Sequence, residues 1–296
     1  MARRDFSVAD SLFSDKLLDP FKNTIERPMI KLPLLASLFL VSCTSINTSD
    51  TSILQQAVNG DQRSEQHKSR DQYRHPEQTL SFFDLKPNMT VVEIWPGGVG
   101  WYTEILAPYL KDQGTFYAAQ FSADANISYY TKSLNKFNDK ITAQTETYGK
   151  TIVTTLHPPK LLQIAPKNSA DRVLTFRNVH NWMKHDQADK VFKAMFDALK
   201  VGGILGVVEH RALARSEQDP KALSGYVTEA HVIALAEKAG FTLLEKSEIN
   251  ANPKDSRNHP KGVWTLPPSL RLKQQDREKY IAIGESDRMT LKFIKK

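Results

Sequence analysis

The chain has 296 residues, 40% of them hydrophobic and 25% charged, with a formal net charge of +7. That balance describes an ordinary globular protein, one domain with extensions rather than two. The basic residues are scattered, with no Lys/Arg stripe interleaved with aromatics, which argues against nucleic acid as a partner and leaves only a weak, salt-screened attraction to anionic membrane surfaces.

Residues 1–28 carry mixed charges and no sustained apolar periodicity. The stretch IKLPLLASLFLVSC follows, Ile30 to Cys43, with a single charge at Lys31. Its apolar run, Leu32 to Val41, is too short to span a bilayer but fits the core of a signal peptide. Leu40-Val41-Ser42-Cys43 resembles the lipobox of bacterial lipoproteins, in which the cysteine is lipidated and becomes the mature N-terminus. A buried core helix fits poorly there, because a polar Ser/Thr/Asn run comes next. The resemblance implies a palmitate-type lipid anchor at Cys43 and a domain facing the periplasm of a bacterial envelope. Met29 stands where a short basic leader would begin, so residues 1–28 read as sequence upstream of the true translation start, with 29–42 as the signal peptide. Cys43 is the only cysteine, so the mature domain has no disulfide and depends on a packed core.

Residues 43–52 read as a polar tether and 53–80 as a charged, helical lid broken at Pro76. Within it Arg70, Asp71, Tyr73, Arg74 and His75 could bring charge over a pocket, with Arg74 and His75 as substrate-binding candidates. A solvated helix face is the plainer alternative. From residue 81 to 296 strands and helices alternate, the pattern of a parallel α/β sheet. Strands are expected at Val91–Trp95, Thr115–Gln120, Arg172–Phe176, Ile204–Glu209, Phe241–Ile249 and Met289–Ile294. Helices are expected at Thr103–Leu110, Asp186–Leu199 and Thr228–Ala239, the last two closed by Lys200-Val201-Gly202-Gly203 and by Gly240. A long excursion with several prolines separates Asn250 from Asp287.

The stretch VVEIWPGGVGWYTEIL, Val91 to Leu106, is a buried strand, a glycine turn and a helix start. Such a turn lets the backbone approach a ligand while the next helix offers free N–H groups. A dinucleotide fingerprint fails, because Thr103 stands at the third glycine position and Gln120 at the acid. A phosphate-binding loop fails for want of Gly-Lys-Ser/Thr.

Glu93-Ile94-x-Pro96-Gly97 with Gly100-Trp101-Tyr102-Thr103 resembles the first motif of class I S-adenosylmethionine-dependent methyltransferases. Ala170 to Val179 resembles the fourth strand of the quinone-type C-methyltransferases, and Asp186 to Leu205 matches the helix and turn that lead into strand five. Together they resemble a group of bacterial predicted methyltransferases. The resemblance covers about Leu80 to Lys296 and implies an α/β, Rossmann-like fold: a mostly parallel seven-stranded sheet with helices on both faces. It implies S-adenosyl-L-methionine as cofactor, held by Glu93, Pro96, Gly97, Gly98, Gly100, Tyr102, Thr103, Gln120 and Asn178. Trp95 departs from the pattern at a usual glycine position, and Gly98-Val99 lengthens the turn by one residue. Gln120 replaces the acid that grips the ribose hydroxyls, a loss of about 1–2 kcal/mol in that grip. At the adenine position VTTLHPP, Val153 to Pro159, offers no acid either.

FRNVHNW, Phe176 to Trp182, follows strand four, where open α/β sheets bind ligands. His180 could serve as general base, with Asn181 orienting and Trp182 walling a small-molecule acceptor, or the loop could simply pack. Glu209 and His210, leaving strand five, are further catalytic candidates, or a polar strand end facing water. The histidines fall at no metal-ligand spacing. The expected activity is methyl transfer to a small acceptor; a non-catalytic ligand-binding lipoprotein on the same fold is the alternative.

Overall fold

Val91, Val92 and Ile94 are at most 1% exposed, the near-continuous apolar run of a strand covered on both faces. A computed structural model describes residues 48–296, with side chains from Ser52 onward. The proposed lipobox, Cys43 and residues 43–47 of the tether lie outside the described residues, whereas 48–52, expected as tether, form the start of a helix. In chain order the elements are α1 (Thr48–Asn59), α2 (Glu65–Lys68), α3 (Asp71–Arg74), α4 (Pro76–Phe82), β1 (Thr90–Ile94), α5 (Thr103–Leu110) and β2 (Thr115–Gln120). Then come α6 (Ser128–Ala143), α7 (Thr145–Tyr148), β3 (Ile152–Thr155), β4 (Ala170–Phe176), α8 (Val179–Lys184) and α9 (Ala188–Ala198). The chain closes with β5 (Leu199–His210), α10 (Glu229–Ala239), β6 (Phe241–Ser247), α11 (Arg277–Ile283) and β7 (Arg288–Lys295).

The seven strands form one sheet in the order β3-β2-β1-β4-β5-β7-β6. It is a mixed sheet: β1 to β5 pair in parallel, while β7 runs antiparallel to both β5 and β6. Alternation along β1 sends Val92 and Ile94 to one apolar layer and Val91 to the other. The first layer holds Trp182 of α8, Phe192 of α9 and Val232 of α10. The second holds Leu54 of α1, Leu80 of α4, Ile105 of α5 and Phe137 of α6. Residues 53–80 therefore contribute to the core as well as to the surface.

The order in which strands are added to the sheet reverses between the parallel neighbours β1 and β4, which pair as Ile94 with Thr175. Ligands in open α/β sheets bind outside the strand ends at such a switch point. Trp95, Phe121 and Arg177 all come to that edge, each one residue beyond its strand.

Some elements differ from the sequence expectation. Trp95 ends the strand early, because it adopts a left-handed conformation at φ 45°. The helix before Lys200 stops at Ala198, and β5 begins at Leu199, with Gly202 at φ 79° turning the bulged start of the strand. Edge strand β3 and helices α6, α7, α8 and α11 are not among the expected elements. Ile152 and Val153 in β3 are 42% and 37% exposed, so no burial alternation marks them. In α6 only Ser133 and Phe137 are buried.

Candidate functional site

A cavity of about 1050 Å³ opens at the switch point. Its walls come from the turn Glu93–Val99, from Tyr102, from Phe176–Asn178, and from His180, Asn181 and His210. Arg70 and Arg74 close one end, Phe121, Tyr129 and Tyr130 another, and Trp264 a third.

The turn is held from below and from the side. Glu93, 2% exposed, accepts a 2.6 Å hydrogen bond from Thr103 Oγ1. Burial pushes the Glu93 carboxyl up to about 8, against the Thr103 hydrogen bond and the nearby Lys140. Gly97 (φ 71°) has only open space where a β-carbon would project. A β-carbon on Gly98 would meet the Ser133 backbone at 3.2 Å, so this glycine admits α6. From α6, Lys140 donates to Val99 O at 2.7 Å and pairs with Glu104, which also meets His67 Nδ1 at 2.8 Å.

Trp95 folds inward. Its indole N–H donates to Leu156 O at 3.1 Å, and its ring lies 4.9, 5.6 and 5.9 Å from Phe121, Tyr130 and Trp182. Phe121 and Tyr130 stack at 4.2 Å. The Val153–Pro159 segment is thus engaged by Trp95 through Leu156.

On the other side of β1, Asn178 Nδ2 donates to Ile94 O (2.8 Å) and Thr175 Oγ1 (3.3 Å), tying the ends of β1 and β4 together. His180 lies in the first turn of α8 and its Nδ1 is 3.0 Å from Glu209 Oε1. Glu209 also accepts the backbone N–H groups of His180 (3.3 Å) and His210 (2.7 Å), with 0% exposure. A carboxylate that accepts the Nδ1–H fixes the tautomer and leaves the lone pair on Nε2, and His180 lines the cavity. His210 pairs with Ser286 Oγ through Nδ1. Burial first, then the neighbouring His180 ring and the charges of Arg288, Arg177 and Arg74, hold its pKa well below the usual histidine range, so His210 is neutral.

His180, Glu209 and His210 each place a ligand atom within 4.8 Å of the others. Sequence spacing argued against a metal and could not show this trio, because it spans two strand ends. Its surroundings are cationic, through Arg74, Arg177 and Arg288. Coulomb repulsion from three guanidinium groups disfavours a divalent cation there.

At the arginine end Glu285 is the counter-charge. Arg70 Nε reaches it at 2.6 Å, Arg74 Nε at 3.3 Å, and Arg288 Nη2 also pairs with it. Burial alone would raise Glu285, but Arg288, Arg74 and Arg70 hold it well below the carboxylate range. Arg74 also lies 4.6 Å above the Trp101 ring.

Several expected site residues sit elsewhere. Gly100 does not face the cavity: a β-carbon there would meet Phe137 and Thr103 at 3.0 Å, with φ at 57°, so its role is packing the turn. Thr103 reaches the cavity only through Glu93. Gln120 is 0% exposed and spends its amide on Gly97 O (2.9 Å) and on the Phe121 N–H (3.1 Å), so it points into the turn and not at a ligand. His75 is the left-handed junction of α3 and α4, at φ 40°, off the cavity wall. Trp182 is 0% exposed and packs on Trp95 and Phe192, in the core behind the site. Glu93, Pro96, Gly97, Gly98, Tyr102, Asn178, Arg74, His180, Asn181 and His210 do line the cavity, with Glu209 directly behind His180. Sequence reasoning missed Arg177, although it stands inside the FRNVHNW stretch, and it missed Trp264, whose ring lies 6.0 Å from that of His180. A lone arginine after a strand and a tryptophan in a long excursion carry no spacing signal.

No protein-family model and no curated protein matches the sequence. Solved structures do. A geranyl diphosphate C-methyltransferase from Streptomyces coelicolor A3(2), solved with Mg2+, geranyl diphosphate and S-adenosyl-L-homocysteine, superposes with TM-score 0.51 at 11% identity, covering 81% of this chain and 87% of that one. The cyclase SpnF superposes with TM-score 0.51 at 12% identity, covering 83% and 92%. A SAM-dependent methyltransferase from Aquifex aeolicus gives TM-score 0.48 at 18% identity, covering 68% and 93%. The two superpositions at TM-score 0.51 show that the chain has the fold of S-adenosylmethionine-dependent methyltransferases. Because a cyclase shares that fold, the chemistry has to be argued from the site.

Proposed function

We propose that the chain transfers the methyl group of S-adenosylmethionine to a small acceptor held beside His180. The observation that carries this reading is the Glu209–His180 dyad, whose histidine lines the same cavity as Glu93 and the glycine turn. The cavity fits the cofactor. Its volume accommodates a drug-sized ligand together with a second small molecule. Glu93, Pro96, Gly97 and Tyr102 would hold the methionine portion, and Phe121, Tyr129 and Tyr130 offer aromatic faces to the base. The ribose receives no carboxylate from β2, because Gln120 is committed to Gly97 O.

When bound, the cofactor supplies a methyl group already activated on a sulfonium. The protein's work is then mainly positioning and proton management. His180 Nε2 takes the proton of an O, N or acidic carbon nucleophile, and Glu209 stabilises the imidazolium that forms. Asn178 fixes the distance between the ends of β1 and β4 and so between the two ligands' walls.

The test is transfer of tritiated methyl from S-adenosylmethionine into a small-molecule extract, with S-adenosylhomocysteine affinity measured in parallel. Wild-type protein is expected to label an acceptor, and His180→Ala to lower the rate about 10²–10⁴-fold with S-adenosylhomocysteine affinity intact. Equal labelling by both proteins would remove His180 from the mechanism. One observation favours a ligand-binding protein without turnover: Gln120 turned away from the cavity. Cofactor-product binding without labelling of any acceptor would support that second reading.

We also propose that Cys43 is lipidated and holds the domain at the periplasmic face of a bacterial membrane. The apolar run before it supports this. Mass spectrometry of membrane-fraction protein showing unmodified Cys43 would contradict it.

A further inference from the structure

The arginine end of the cavity holds more positive charge than the protein neutralises. Arg70, Arg74, Arg177 and Arg288 gather around a single carboxylate, Glu285. Glu285 meets three of them; the Arg177 guanidinium lines the cavity and has no hydrogen-bond or ion-pair partner among the described residues. Arg70 Nη2 and Arg74 Nη1 are also buried without a partner, and both residues line the same cavity. Arg74 is only 3% exposed. Burying an unpaired guanidinium N–H is costly, and such groups persist where a ligand completes them. Burial and the neighbouring Arg288 lower Arg177 to about 10, which still leaves it charged at neutral pH.

We propose that this end is an oxyanion site for the acceptor: a small molecule whose carboxylate or phosphate group sits among Arg70, Arg74 and Arg177 and whose methyl-accepting atom faces His180. The proposal rests on the methyl-transfer reading and names its substrate class. S-adenosylmethionine cannot itself balance the charge, since its sulfonium and ammonium outnumber its one carboxylate. Planar guanidinium forks match carboxylate and phosphate oxygens in pairs, which suits recognition and orientation better than point charges would. Arg177 is one turn of chain from His180, so an anion held there sets the distance between the acceptor's charged end and the base. Neutral His210 and the Trp264 ring bound the space between them.

The experiment titrates the full chain with inorganic phosphate and with malonate at constant ionic strength, reading dissociation constants by calorimetry and thermal midpoints against chloride. S-adenosylhomocysteine is titrated in parallel. Wild type is expected to bind at least one of the two probes, and which one binds tells phosphate from carboxylate recognition. Arg177→Gln is expected to weaken that probe at least tenfold while the affinity for S-adenosylhomocysteine changes less than twofold. Arg177→Lys keeps the charge and is expected to recover part of the loss, which separates a binding defect from a folding defect. Two results would overturn the proposal: neither probe binding better than chloride, or Arg177→Gln weakening S-adenosylhomocysteine as much as the probe, which would assign the arginines to the cofactor's carboxylate. Probe binding without any S-adenosylhomocysteine binding would sink the methyl-transfer reading and leave the anion site standing.

Discussion

Glu93→Gln isolates the electrostatic cost of the acid under the glycine turn. The substitution is nearly isosteric and keeps an acceptor for Thr103 Oγ1, so packing changes little. In the folded protein burial raises the carboxyl from 4.5 to about 8, which at about 1.4 kcal/mol per unit corresponds to about 5 kcal/mol. The folded state binds a proton that the unfolded chain has already released. Its contribution to stability is therefore complete below pH 4.5, falls as pH rises, and is gone above about 8. Glutamine does not titrate, so its stability carries no such loss. Urea unfolding of both proteins at intervals from pH 5 to pH 9 would measure the difference, with all other titrating groups cancelling. Glu93→Gln is expected to gain on wild type steadily through that window, by several kcal/mol in total, and to level off above about pH 8. Parallel stability curves would refute the buried, protonated acid.

The two positive-φ glycines of the turn should separate cleanly. Gly97→Ala meets nothing within 4 Å and is expected to cost only the backbone strain of about 1–2 kcal/mol, whereas Gly100→Ala adds a clash with Phe137 and Thr103 and should unfold at clearly lower denaturant. Gln120→Glu would restore an acid at the end of β2, yet it should lower stability by about 1–3 kcal/mol and leave S-adenosylhomocysteine affinity no better, because the new oxygen faces Gly97 O in a fully buried position. A tighter Gln120→Glu protein would show that the side chain can swing to the ribose.

Elements with strong local signals were legible in the sequence. Thr103–Leu110 and Thr115–Gln120 have the expected bounds, because a glycine turn and an apolar run mark their ends. The cavity wall from Glu93 to Gly98, and His180 with His210, followed from the rule that ligands sit beyond the strand ends. What could not be read depends on long-range pairing. The carboxylate that fixes His180 lies 29 residues away on β5. Gln120 reads as a weakened ribose ligand until its amide is seen on a carbonyl 23 residues earlier. Trp95 reads as a misplaced glycine, and only the packing of Phe121, Tyr130 and Trp182 explains a tryptophan held at φ 45°. Arg70 and Arg74 meet Glu285 across 215 and 211 residues, a separation no local pattern encodes.

The central claim is that the cavity at the β1–β4 switch point binds S-adenosylmethionine against Glu93. Calorimetric titration of the full chain with S-adenosylhomocysteine and S-adenosylmethionine at pH 7, in buffers of different ionisation enthalpy, tests it most directly. Both ligands should bind. The cationic sulfonium and ammonium should pull the Glu93 carboxyl down from about 8, so S-adenosylmethionine should release up to about one proton per site. Glu93→Gln should bind with no proton released. Absence of binding heat for both ligands would contradict the account, and binding with equal proton release in the Glu93→Gln protein would place the cofactor elsewhere.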